Sequence, residues 1–190
     1  MGVMDEAERV EPASAEEWGD WLAAHHADTR GVWLVNRRRA ADQAFGYEES
    51  VLEALRFGWV DSTQRPLDDD RSMMWFAPRR PDSLWTRPNK ERVARLQAEG
   101  RLEAAGLAAV EQARANGNWT LLDPVEDGIV PDDLAAALDA LPGAREHWDA
   151  FPASAQKAAL TWIVTAKKPE TRAARVAQTA AKTAQGERPR

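Results

Sequence analysis

The chain has 190 residues, no cysteine and a formal net charge of -6, with a pI near 5.2. Without thiols it has no disulfides, thiolate zinc sites or cysteine nucleophiles, and its acidic balance argues against a surface built as a whole to neutralise nucleic-acid phosphates. With 44% hydrophobic and 29% charged residues, and no apolar run long enough to span a bilayer, it reads as a soluble globular protein of one compact unit or two small lobes.

Residues 1–12 are acidic and lack the basic and apolar regions of a secretory leader, so a loosely held start and a cytoplasmic location are expected. Ser14 followed by Glu16 and Glu17 predicts a helix over residues 15–24, with acids at its positive end. The β-branched and aromatic stretch 31–36 predicts a strand, and 38–46 a hairpin-like loop. Val51, Leu52 and Leu55 recur at a helical period over 48–57, and Gly58 supplies the stop. Short strands are expected at 59–62 and 72–76, separated by a loop with Pro66 and three consecutive aspartates. Helices follow over 86–100, with Pro88 in the first turn, and over 102–115, broken by Asn116, Gly117 and Asn118. Residues 119–130 read as an irregular connection with a short strand at 119–122. Four further helices, at 131–138, 144–150, 152–166 and 169–183, each open at or near Pro or Gly.

The resulting expectation is an α+β fold: a small mixed, largely antiparallel sheet with a predominantly helical C-terminal half. An α+β region would cover 13–125 and a helical module 131–185, with 1–12 and 186–190 as flexible ends.

Several pieces together are specific: residues 54–61, then 76–81 with Ser83, Trp85 and Asn89, then Arg92, Val93, Gly100, Arg101 and 105–107. Residues 134–138, Trp162, Ile163, 166–172 and Arg175 add a third signature. Across about 17–175 the chain resembles the YdeI/OmpD-associated family, also called the bacteriocin-protection family. The resemblance implies a role in tolerance of antimicrobial peptides or bacteriocins and an envelope association, and it carries no reaction, substrate or cofactor.

The candidate site is read from aromatic planes beside fixed charges, which together hold polar or amphipathic ligands. Trp59, Trp85 and Asn89 would line a cleft, with Asp61 and Arg79 as its charged determinants and Arg92 beside them. Arg79 and Arg80, flanked by Pro78 and Pro81, point to opposite sides of an extended segment, so that one pairs internally and the other faces a ligand. Trp162 and Lys167 would face the same cleft, while Lys168, Arg172 and Arg175 form the basic face of an amphipathic final helix. His25 and His26 differ by about 100° on a helix and the aspartate run lacks calcium-loop spacing, so no metal is expected, and no cofactor motif is present. The reading is a binding protein that the resemblance implicates in tolerance or sequestration of a small amphipathic or peptidic antimicrobial compound, with no membrane span and no principal nucleic-acid partner. Two alternatives stand beside it: an enzyme using Asp61 with Arg79 or Arg80, and a basic C-terminal helix that grips nucleic acid or an acidic partner.

Overall fold

A computed structural model describes residues 4–37 and 45–189. All but the last two residues of the hairpin-like loop expected over 38–46 lie outside the described residues. The chain divides into two compact units, one made of the residues up to Ser83 with Pro88–Asn116, the other of Leu84–Arg87 with Gly117 onward.

The first unit is built on a four-stranded mixed sheet of β1 (Arg9–Val10), β2 (Val32–Arg37), β3 (Trp59–Pro66) and β4 (Arg71–Pro78), in the order β1-β2-β4-β3. β2 and β3 both pair antiparallel with β4. The sheet is mixed, as expected: its one parallel pairing is at the edge, where β1, inside the acidic lead-in, runs beside β2. The loop between β3 and β4 is shorter than expected, because both strands extend beyond their apolar centres.

Side chains alternate across a strand, so the registers Val32↔Phe76, Leu34↔Met74 and Asp61↔Phe76 place these residues on one face. That face carries α1 (Ala15–His25) and α2 (Tyr47–Arg56). Trp18 of α1 lies 5.5 Å from the Phe76 ring, and its indole Nε1 donates to the Ser50 carbonyl of α2 at 3.1 Å. Ser14 caps α1 by accepting from the Glu17 amide, as its sequence context predicts. On the opposite face Trp33 and Trp75 meet edge to face at 5.3 Å, with the Arg65 guanidinium 5.2 Å from the Trp33 ring.

Two helices complete the unit, α3 (Arg87–Ala98), whose first residue belongs to the other unit, and α4 (Ala104–Ala115). α4 approaches α2 through Gly106, where an added Cβ would stand 2.3 Å from the Arg56 carbonyl oxygen. The turn between α2 and β3 runs through Gly58 at φ +72°, a left-handed conformation that favours glycine. Beside it the buried Glu53 carboxylate is gripped by Arg56 and Arg101.

The second unit is helical: α5 (Asp123–Glu126), α6 (Asp132–Asp139), α7 (Ala144–Ala150), α8 (Ala153–Val164) and α9 (Pro169–Ala184). Its core joins Leu134, Leu138, Trp148, Leu160, Ile163 and Val176. The strand expected at 119–122 is replaced by turns leading into the four-residue α5. No helix among the described residues is long and apolar enough to cross a membrane.

Candidate functional site

One group of polar and charged side chains of the first unit gathers where the N-terminus of α2, the start of β3 and α3 meet. Tyr47, the first residue of α2, is 51% exposed, and its hydroxyl donates to Asp61 Oδ2 on β3 at 2.9 Å. Glu48, the next residue, is held by Arg92 of α3 through Nε at 3.0 Å and Nη2 at 2.6 Å. Arg92 Nη1 also donates to Asn89 Oδ1 at 2.9 Å, and its guanidinium carbon stands 5.8 Å from the centre of the Tyr47 ring. One arginine thus fixes the carboxylate beside the phenol, the amide of its own helix and the face of the phenol ring.

Arg79 follows β4, and its amide donates to the Gly58 carbonyl at 2.9 Å, which ties it to the turn preceding β3. Its Nε and Nη2 atoms are out of contact with solvent. Burial pushes this guanidinium down to about 10, while the Asp61 carboxylate acts in the opposite direction. Partial burial, followed by the hydrogen bond to Asp61 and its charge, raises the Tyr47 phenol above its ordinary value; Arg92 works against that rise. The hydrogen bond from Arg92 holds Glu48 below the usual carboxylate range.

Next to Tyr47, between α2 and the sheet, lies a hollow of about 70 Å³. Leu34 and Met74 give it apolar surface, and Asn36, Tyr47, Ser50, Gln64 and Ser72 give it polar surface. The register explains this composition: Asn36↔Ser72 and Gln64↔Met74 set polar and apolar side chains alternately along one face beneath the helix.

Four residues named from the sequence, Asp61, Arg79, Asn89 and Arg92, belong to this cluster in the first unit. Arg80 is exposed, with Nε 3.5 Å from Asp82 Oδ1. Trp59 is 1% exposed, donates to the His26 carbonyl at 3.2 Å and meets Trp21 edge to face, so its ring is part of the core. Trp85, Trp162, Lys167 and Arg172 belong to the second unit. Trp85 is 2% exposed and lies 5.0 Å from Trp119. Trp162 stands under the Arg175 guanidinium at 5.1 Å, and its carbonyl accepts from Arg175 Nη1. Arg172 makes a two-bond pair with Asp133 at 2.7 and 3.0 Å, and Lys167 is exposed ahead of α9. No motif in the sequence singles out Tyr47 and Glu48 as site residues. The available signal was Tyr47 itself, the sole tyrosine of the chain, at a helix start after Gly46.

Residues 10–109 match a family described as a domain of unknown function, DUF8412, over more than half of the chain. The chain belongs to the DUF8412 family. Residues 127–186 match a second family, described as bacteriocin-protection, YdeI or OmpD-associated, so the resemblance drawn from the sequence holds for the C-terminal segment. Residues 54–61, 76–81 and 105–107, which entered that resemblance, fall within the DUF8412 match. The cluster around Asp61 therefore lies in the DUF8412 segment, and the name concerning bacteriocin protection attaches to residues of the second unit. No curated protein and no solved structure matches the chain.

Proposed function

We propose that the protein binds and sequesters a small amphipathic or peptidic antimicrobial compound, and that the first unit contacts it at the cluster of Tyr47, Asp61, Arg79, Asn89 and Arg92. The observation that carries this reading is the hollow beside Tyr47, where Leu34 and Met74 offer apolar contact within reach of five polar side chains. Such mixed walls match ligands that bury an apolar part while hydrogen bonds set their orientation. The match of residues 127–186 to the bacteriocin-protection family supports the choice of compound class.

Binding is favoured over an interaction arm on α9 because two of the cations there, Arg172 and Arg175, are already engaged. Arg172 is spent on Asp133, and Arg175 on the Trp162 carbonyl and the Thr165 hydroxyl. Val176, Thr179, Ala180 and Thr183 form the buried side of that helix, the arrangement of a docked amphipathic helix.

Tryptophan emission tests the reading, since Trp18 is bonded to the carbonyl of Ser50, a residue of the hollow. Titration with a panel of antimicrobial peptides is expected to give a saturable change with at least one. Asp61→Asn, which keeps an acceptor for Tyr47, is expected to weaken it by about tenfold, the loss of roughly one charge-assisted contact. A flat response across the panel at high concentration removes this function.

A further inference from the structure

Resting on the binding reading above, we propose that the hollow beneath α2 is a subsite for one uncharged carboxamide group of the ligand, and that it rejects charged groups of the same size. At about 70 Å³ it is side-chain-sized, far below the roughly 300–1,000 Å³ of a complete small-molecule pocket. It therefore reads one group of a larger molecule.

The hydrogen bonds around the wall decide which group. Asn36 Nδ2 donates to the Phe45 carbonyl at 2.6 Å, Ser50 Oγ to the Tyr47 carbonyl at 2.7 Å, and Tyr47 Oη to Asp61 at 2.9 Å. Gln64 Nε2 donates to Ser72 Oγ at 3.5 Å. The hydroxyl hydrogens of Tyr47 and Ser50 are thus consumed, which turns both oxygens into acceptors toward the hollow. Gln64 Oε1 is a third acceptor. The Ser72 hydroxyl, which receives from Gln64, keeps its own hydrogen to give, and each amide nitrogen keeps its second one. A carboxamide both donates through N–H and accepts through its carbonyl, so it complements such a mixed wall. A carboxylate only accepts, and an amidinium only donates.

Charge points the same way. Among the described residues the side chains lining the hollow are uncharged, and the ionised groups beside Tyr47 are engaged with one another: Asp61 lies between Tyr47 and Arg79, and Glu48 is held by Arg92. A ligand charge placed there would lose water and gain no counterion from the described lining residues.

Acetamide, acetate and acetamidinium share size and shape and differ in charge, so they are the probes. Their titration into the ¹⁵N-labelled full chain is followed by the amide resonances of Tyr47, Ser50 and Ser72 and the side-chain amides of Asn36 and Gln64. Acetamide is expected to shift these saturably, with both charged probes bound at least about tenfold more weakly and Gln64→Met, at an exposed position, weakening acetamide at least about fivefold. Equal or tighter binding of a charged probe overturns the proposal, as does acetamide that leaves these resonances unmoved or is indifferent to Gln64→Met. Acetamide binding here while every peptide of the panel fails would remove the sequestration reading and leave the subsite. Peptides that bind without moving these resonances would do the reverse.

Discussion

Arg79 is a cation that the fold carries at a cost. Taking a guanidinium out of water is unfavourable by several kcal/mol before any pairing returns part of it, and its lowered value of about 10 expresses the remainder. The sign follows from linkage: the unfolded chain holds this proton more tightly than the folded one, so at neutral pH the buried charge subtracts from stability. Arg79→Met, which keeps the apolar stem, is therefore expected to leave the melting temperature unchanged or raised while peptide binding weakens. A midpoint lowered by more than about 4 °C, on the order of 1 kcal/mol for a chain of this size, would make Arg79 a structural residue instead. Tyr47 is the counterpart that the sequence concealed. Its partners Asp61 and Arg92 are far from it along the chain, and no local pattern announces such a pair. Asp61 and Arg79 were legible because each ends or follows a compact apolar run.

At the level of elements, α2 and α4 are bound by the absence of a side chain. An added methyl at Gly106 would press on the Leu55 and Arg56 carbonyl oxygens, which are backbone and cannot turn aside. Gly106→Ala should cost about 2 kcal/mol by overpacking, measured as a lowered denaturant midpoint with unchanged slope. An unaltered midpoint would mean that the helices part freely. The same scale explains what could be read in advance. The helices of the C-terminal half are punctuated by Pro131, Gly143, Pro152 and Pro169, and α7 spans the residues expected of it. β1 has two residues and α5 four, and both are too short for a periodic signal. β1 exists through its ladder with β2, a contact to which local sequence is blind. Trp119 suggested a strand by its type, yet its ring is used against Trp85.

Across the whole molecule, stability should depend on acid in one direction. Glu48, Asp133 and Asp139 are held below their ordinary values, first by hydrogen bonds from Arg92, Arg172 and Arg145 respectively. Because the unfolded chain binds these protons more readily, the contribution is complete above the ordinary carboxylate range, near 4.5 and 3.8, and is lost as pH falls below it. The melting temperature is expected to hold from neutrality to about pH 5 and to decline below about pH 4, less steeply at high salt, where exposed pairs are screened. A midpoint that climbs on acidification would contradict this. Tyr47, raised in the folded state, acts at the other end: its share is present below pH 10 and disappears as alkalinity takes the phenol through its folded value.

The route of the polypeptide has a practical consequence for dissecting the protein. Leu84–Arg87 is lent by the earlier half to the helical unit, where Trp85 meets Trp119 and Arg87 bonds Glu126 and Asp127. The backbone thus leaves the first unit, returns, and leaves again. Severing it near residue 117 would strip the C-terminal piece of an indole and a guanidinium, and severing it at 84 would strand α3 and α4 away from α2. No single scission yields both halves intact, and gene fragments trimmed to the two family boundaries would each be missing a part.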